Sequence, residues 1–220
     1  MDWSVVITTA PRGGESTLPR TVQSLEGAGW AGQVNVLADR ERNAWQHWKR
    51  ALELALQTPA DCLLMVQDDV IACRGLRRYL EEEMPGDSRL AWASCWCPQK
   101  YGDRAQNGGG WFRLDRGPNT CGAVCMAMPR TTAVALLRSP MIQSYTWTGP
   151  RLGRRGTPEQ LDKCCIDGKC GAWAEQHDLR VYYHFPSLVD HIGVVSSLGS
   201  PDNPPARTAA NFVGEPWTHE

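Results

Sequence analysis

At 220 residues, with 23 Lys and Arg against 24 Asp and Glu and a formal charge of −1, the chain fits one domain and is long enough to bury a real core. The charge balance gives no global attraction to nucleic acid or an acidic membrane, and the length disfavours two independent domains. No apolar run approaches the ~20 residues that span a bilayer, and the amino terminus lacks the basic-then-apolar layout of a signal peptide, so the expectation is a cytoplasmic protein.

Residues 4–9 are a β-rich apolar run that passes into Thr8-Thr9-Ala10-Pro11-Arg12-Gly13-Gly14, a loop that no helix tolerates at Pro11 and the paired glycines. Residues 18–28 carry Leu18, Val22 and Leu25 at helical spacing, closed by Gly27 and Gly29. Val34-Asn35-Val36-Leu37-Ala38 predicts a second short strand ending at Asp39, and residues 43–57 a helix bearing Trp45, Trp48, Ala51, Leu52, Ala55 and Leu56. In Cys62-Leu63-Leu64-Met65-Val66-Gln67-Asp68-Asp69-Val70 an apolar run too short for a helix reads as a strand buried on both faces of a parallel sheet. Two adjacent carboxylates end it. In an open α/β sheet that end borders the ligand crevice, where a divalent cation and a diphosphate are their natural partners; a helix N-terminus or a solvated turn is the plainer alternative. Three strands alternating with helices predict a Rossmann-like nucleotide-binding half, and the absence of G-x-G-x-x-G speaks against NAD and FAD.

Residues 76–84 predict a short helix stopped by Pro85-Gly86, and residues 90–95 a further strand. Periodicity then disappears over residues 96–120, which contain Asn107-Gly108-Gly109-Gly110-Trp111. A loop of that length favours an acceptor or sugar loop, with Trp96 and Trp111 as its aromatic lining. Cys121-Gly122-Ala123-Val124-Cys125-Met126-Ala127-Met128-Pro129 is a small-residue strand, and residues 131–138 a helix. Residues 143–158 are polar and basic, with Arg151, Arg154 and Arg155 close together, and Thr157-Pro158-Glu159-Gln160 has the form of a helix start. The organisation expected is one domain over residues 1–197, with a nucleotide-binding half at 1–95 and an acceptor half at 96–197. An extended Pro- and Asn-rich tail over 198–220 carries Trp217 and His219. The nine cysteines include no paired C-x2-C arrangement, so they read as small buried hydrophobes, with zinc and disulfides as the alternatives.

Asp167-Gly168-Lys169-Cys170-Gly171-Ala172-Trp173, followed by Leu179-Arg180-Val181-Tyr182-Tyr183-His184-Phe185-Pro186-Ser187-Leu188-Val189-Asp190-His191-Ile192-Gly193, closely resembles the carboxyl-terminal end of many bacterial and viral GT-A glycosyltransferases. There the pattern is an acid, a G-x-W helix, a strand and P-S-L-V-x-H-x-G. Gln67-Asp68-Asp69 resembles the D-x-D-like metal motif of the same family, Thr8-Thr9-Ala10-Pro11-Arg12 its T-T-x-P-R loop, and the strand at Gly122-Ala123 its G-A-x-x-M-x-R strand. The likeness covers residues 4–197, the middle by order of elements more than by motif.

The resemblance implies an α/β fold, a single GT-A (Rossmann-like) domain with a mostly parallel central sheet and helices on both faces. It implies a cation, Mn²⁺ or Mg²⁺, held by Asp69 and His191 and otherwise by phosphate oxygens and water; an imidazole ligand leans the choice towards manganese. Thr8, Thr9, Ala10, Pro11 and Arg12 would contact the nucleotide, Asp39 its base or ribose, and Asn43 would lie near the donor. Gln67 belongs to the same motif as Asp68, which would meet the ribose or sugar, and Gly122 and Ala123 would lie beneath the sugar. Asp167 is the candidate base, with Asp162 as its substitute if the register differs. His47, His177 and His184 read as structural. The activity implied is inverting transfer of a hexosyl or N-acetylhexosaminyl group from a nucleotide-sugar, most simply a UDP-sugar, to an acceptor hydroxyl. That hydroxyl belongs to a glycan, a small molecule or a hydroxymethylated DNA base, the last in the setting of a phage-encoded enzyme in its host's cytoplasm. Two other classes compete. A nucleotidyltransferase is disfavoured by a Thr8 to Gly14 loop with one arginine and no lysine, and a non-catalytic carbohydrate-binding protein is supported by the ten tryptophans.

Overall fold

Trp3–Thr9 (β1) lies between Val34–Ala38 (β2) and Cys62–Gln67 (β3) and runs parallel to both. The computed structural model describes residues 1–11, 15–41, 43–102, 109–147, 166–192 and 208–219. Beyond β3 the sheet continues through Cys125–Pro129 (β7), Leu90–Ser94 (β5), Arg180–Phe185 (β8) and Gly110–Arg113 (β6), in the order β2-β1-β3-β7-β5-β8-β6. β7 pairs antiparallel with both β3 and β5, β8 runs parallel to β5, and β6 is antiparallel to β8. Thus β1, β2, β3, β5 and β8 point one way, and only β7 and β6 the other. The mostly parallel α/β sheet expected from the sequence is present.

The period of two along these strands sends alternate side chains into two separate cores. Val6, Leu63, Met65, Met126 and Met128 enter one core with Trp45, Trp48, Ala51 and Leu52 of Ala44–Ala55 (α2), Leu136 of Arg130–Arg138 (α5), Ile142 of Pro140–Gln143 (α6) and Trp173 of Ile166–Gln176 (α7). Val5, Ile7, Leu64, Val66, Cys125 and Ala127 enter the other with Leu25 of Leu18–Leu25 (α1), Trp30, and Leu76 and Leu80 of Leu76–Glu83 (α3). Helices therefore cover both faces. Each fully buried Leu or Ile contributes about 1.5–3 kcal/mol, so β3, which feeds both layers, anchors the fold.

The local chemistry agrees with these boundaries. Pro19 stands in the first turn of α1, and Asn43 caps α2, its Oδ1 accepting from Gln46 N at 3.0 Å. In α7, Gly171 lies against the Gly117 carbonyl of the 3-10 turn Gly117–Asn119, where any Cβ would overlap that oxygen. The glycine of the G-x-W segment thus has a packing reason. The stretch without periodicity contains Gln99–Gly102 (α4) and the edge strand β6. Of the described cysteines, Cys62, Cys73, Cys95, Cys97, Cys125 and Cys170 are buried and Cys121 is half-buried. Among the described residues, no helix is long and apolar enough to cross a membrane.

Candidate functional site

The apolar run of β3 ends in a two-residue turn, Asp68-Asp69, and the chain continues as the short strand Val70–Ala72 (β4). Thr21 of α1 fixes this turn: its buried hydroxyl donates to Asp68 O at 2.8 Å and accepts from Val70 N at 3.1 Å. The Thr9 hydroxyl, at the end of β1, donates to the Asp68 carboxylate. β4 pairs antiparallel with Val189–His191 (β9), which sets Val70 opposite His191, and Ile192 N donates to Asp69 O at 2.8 Å. This two-stranded ribbon, separate from the main sheet, places His191 Nδ1 3.4 Å from Asp69 Oδ1.

Asp69 is 1% exposed and His191 8%. Burying a carboxylate costs several kcal/mol unless donors or a counter-charge surround it. The pair suits a divalent ion. Two ligands on neighbouring octahedral positions of an ion at 2.0–2.1 Å stand about 3 Å apart, near the separation found here. One oxygen and one imidazole nitrogen are a donor set that Mn²⁺ accepts. Among the described residues no set of three or more His, Cys, Asp and Glu side chains converges on one point.

The other residues singled out in the sequence lie at or just beyond the carboxyl ends of the neighbouring strands. Thr8 donates through its hydroxyl to Val66 O at 3.2 Å, tying β1 to β3. Ala10 is half-buried and Pro11 exposed, and Arg12 lies outside the described residues. Asp39 is buried; its amide donates to Thr9 O at 2.7 Å, and its Oδ1 accepts from Glu41 N at 2.9 Å. One oxygen of Asp39 and the Oδ1 of Asn43 are thus engaged by local backbone. Gln67 N donates to Val124 O at 2.9 Å, which joins the end of β3 to the turn before β7.

That turn carries Gly122 and Ala123. Gly122 has φ +76° and its backbone lies against the Trp96 ring, so that a Cβ would overlap the indole. Trp96 in turn meets His191 edge to face, with ring centroids 5.6 Å apart. On its other side, Gly122 N donates to Asp167 Oδ2 at 2.6 Å. Asp167 sits in the first turn of α7, where burial raises its carboxyl above the usual range, opposed by the amides of Gly122, Ala123 and Asp167 itself and by the Lys100 charge. A continuous chain of contacts therefore runs from Asp69 through His191, Trp96 and Gly122 to Asp167.

Sequence reasoning missed Thr21, whose hydroxyl holds the Asp68-Asp69 turn, and Asp190, whose Oδ1 accepts from His191 N at 2.8 Å and from Ala209 N at 2.7 Å. The nearest sequence signal for Asp190 was its place inside P-S-L-V-D-H-I-G. Trp111 does not join Trp96. It packs with Tyr79 and His184, 6.3 and 4.9 Å between centroids, and Tyr79 also meets Trp217 and His219 of the carboxyl-terminal stretch. That stretch is held to the domain by Gly75 N donating to Trp217 O, Ala210 N to Cys97 O and Val213 N to Ser187 O. Asn107, Gly108, Arg151, Arg154, Arg155, the Thr157 to Gln160 cap, Asp162, Cys164, Cys165 and Gly193 lie outside the described residues.

No protein-family model matches the chain, and no curated protein matches it. Among solved structures, the chain is similar to A197 from STIV, at 11% identity and a TM-score of 0.47, over 87% of this chain and 86% of that one. It is also similar to a glycosyltransferase involved in the glycosylation of the major capsid of PBCV-1, at 9% identity and a TM-score of 0.35, over 83% of this chain and 93% of that one. Likenesses this distant assign nothing to the chain by themselves.

Proposed function

We propose that this chain is a metal-dependent glycosyltransferase that moves a sugar from a nucleotide-sugar, most simply a UDP-sugar, to an acceptor hydroxyl with inversion. The observation that carries the reading is the approach of His191 Nδ1 to within 3.4 Å of Asp69 Oδ1 at the carboxyl end of β3, where the order of motifs expects a cation and a diphosphate. Asp69 and His191 would hold Mn²⁺ or Mg²⁺, which supplies charge neutralisation to the leaving diphosphate.

The chain's own residues do the rest. Thr8, Thr9, Ala10, Pro11 and Arg12 would line the nucleotide, with Asp39, Asn43, Gln67 and Asp68 around its nucleoside. At Asp39 one carboxylate oxygen is taken by Glu41 N, which leaves the other for a ligand hydroxyl. Gly122 and Ala123, with little side chain between backbone and ligand, would admit the sugar closely. Asp167, its carboxyl raised by burial, would take the acceptor proton as the acceptor oxygen bonds to the sugar carbon and the diphosphate leaves with the electron pair of the old bond. The acceptor classes are a glycan, a small molecule and a hydroxymethylated base in DNA.

The direct test is release of UDP from UDP-sugars. Slow turnover that requires Mn²⁺ and is abolished by chelator is the expected result. Binding of sugars without any donor turnover would instead establish a carbohydrate-binding protein, and release of diphosphate from a nucleoside triphosphate a nucleotidyltransferase.

A further inference from the structure

The β4–β9 ribbon has three residues in each strand and lies apart from the main sheet, and two strands of that length are not stable alone. Its outer edges carry the reason it stays in place. Ile192 N donates to Asp69 O, so the facing pair Val70 and His191 is a non-hydrogen-bonded one, whose N–H groups point away from the ribbon. Val70 N finds the Thr21 hydroxyl, and His191 N finds the Asp190 carboxylate at 2.8 Å. The same oxygen, Asp190 Oδ1, accepts from Ala209 N at 2.7 Å. Ala209 belongs to a stretch that is fixed on its other edge: it bridges Pro98, its carbonyl accepts from Gln99 Nε2 at 2.8 Å, and Ala210 N donates to Cys97 O at 2.7 Å. Ser187 N to Ala210 O and Val213 N to Ser187 O, at 3.2 and 3.0 Å, join that stretch to the segment leading into β9. Ser187, Ala209 and Ala210 are buried, a low-dielectric setting that strengthens such bonds.

We infer that Asp190 is a positioning residue for the proposed cation site: its carboxylate oxygen clips the His191 backbone to the carboxyl-terminal stretch, so that cation affinity depends on Ala209, a residue with no ligating side chain. The inference rests on the reading of Asp69 and His191 as the ligands. Asp190 is not itself a further ligand beside them, because neighbours along a strand point to opposite faces and its Oδ1 is taken by the amides of His191 and Ala209. A carboxylate suits the place. Hydrogen bonds to an ionised acceptor are about twice as strong as neutral ones, and a single oxygen has lone pairs for both amides. Without the clip, the outer edge of β9 loses its hold on the domain at the residue whose imidazole stands 3.4 Å from Asp69. A metal site tolerates displacement of only about 0.5 Å.

The test measures Mn²⁺ affinity of the full chain at saturating UDP, by electron paramagnetic resonance of the free ion, for wild type, Asp190→Ala, Asp190→Asn, Ala209→Pro and the double variant Asp190→Ala/Ala209→Pro. Asp190→Ala should weaken Mn²⁺ binding about tenfold, since the charge-assisted bonds beside the histidine are lost. Ala209→Pro, which has no N–H to give, should do likewise. Asp190→Asn should restore most of the affinity, because its amide oxygen accepts the same bonds. The double variant should bind no more weakly than the weaker single, as both changes break one link. Coupling is reciprocal, so in the wild type bound Mn²⁺ and UDP should slow solvent exchange of the Ala209 amide about tenfold, and more than that of the β2 amides at the far edge of the sheet. That measurement decides the matter should Asp190→Ala or Ala209→Pro not fold. Undiminished Mn²⁺ affinity in both single variants, or exchange at Ala209 slowed no more than in β2, overturns the inference while leaving the metal site standing. Additive losses in the double variant, or an equal loss in Asp190→Asn, overturn the clip. A wild type that binds no Mn²⁺ overturns the metal reading itself, and the inference with it.

Discussion

His191 Nδ1 stands 3.4 Å from Asp69 Oδ1 because the ribbon of β4 and β9 sets Val70 opposite His191 and bonds Ile192 N to Asp69 O. Two groups from opposite ends of the chain are thus fixed by backbone hydrogen bonds, independently of anything bound between them. Preorganisation of this kind lowers the cost of binding an ion.

On the proposed reading, removing Asp69 or His191 should uncouple metal from nucleotide. Asp69→Asn and His191→Ala should each weaken Mn²⁺-dependent UDP binding by at least about tenfold, and chelator should do the same to the wild type. Calorimetry with and without Mn²⁺ is the measurement. Undiminished metal-dependent affinity in Asp69→Asn would remove the central assignment. Because both side chains are buried, the variants' melting temperatures must be read alongside.

The turn at Gly122 gives a separate test of the site's geometry. Gly122→Ala places a side chain at φ +76° and drives its Cβ into the Trp96 ring, on which His191 rests. Left-handed backbone costs about 1–2 kcal/mol for an L-residue, and the overlap adds about 1–3 kcal/mol more. Denaturant unfolding should show a loss of this order, with Mn²⁺-dependent affinity falling as His191 shifts. A variant as stable as wild type would show that the turn relaxes freely and that Trp96 does not position the histidine.

The first half of the fold was legible because each strand there is an apolar run between turn residues and each helix carries its apolar stripe. The β3 strand is read from the apolar residues Cys62 to Val66, which alternate between the two cores. The end of β3 at Asp68-Asp69 is legible as well, but the strand that follows the turn is not. Val70, beyond the two carboxylates that end the apolar run, begins a second strand whose partner, β9, lies near the other end of the chain. β6 was invisible for a related reason: Gly110–Arg113 is a four-residue edge strand without alternation, and its register comes from β8. The strand read over residues 121–129 begins only at Cys125, since Gly122 turns the chain against Trp96, a contact that local pattern does not encode. His47, like His177 and His184, reads as structural, and only in three dimensions is its Nε2 seen to be buried with no hydrogen-bond partner among the described residues.

A pH test follows from His184. Its Nδ1 lies 2.6 Å from Pro186 O, an acceptor, so Nδ1 carries the proton and Nε2 accepts from the Tyr79 hydroxyl at 2.7 Å. Burial lowers this imidazole to about 4, against 6.5 in the unfolded chain. Between those values the unfolded state binds more protons, so stability is fully present above pH 6.5 and is lost as pH falls through 4, by up to about 3 kcal/mol. Urea unfolding from pH 7.5 to 4 should show this slope, and His184→Gln should flatten it. An identical slope in the variant would assign the acid sensitivity to other groups.

On the proposed function, Asp167 is the residue at which catalysis and binding can be separated. Its Oδ2 accepts from Gly122 N at 2.6 Å, and an asparagine carbonyl would keep that bond while being unable to take a proton at neutral pH. Asp167→Asn should therefore lower transfer by about 10²-fold or more while leaving UDP affinity within about twofold of wild type. Burial raises the folded-state carboxyl above its unfolded value, so the ionised form destabilises the fold at neutral pH. The uncharged variant should accordingly melt at or above the wild-type temperature, which excludes unfolding as the cause of its inactivity. In the wild type the acid limb of the rate should lie above the ordinary carboxylate range and vanish in the variant. The product anomer should be inverted relative to the donor, since a base on the acceptor implies one displacement. A retained anomer would sink the base assignment even if Asp167→Asn were inactive. Near-normal turnover in Asp167→Asn with loss in Asp162→Asn would move the role to the earlier acid.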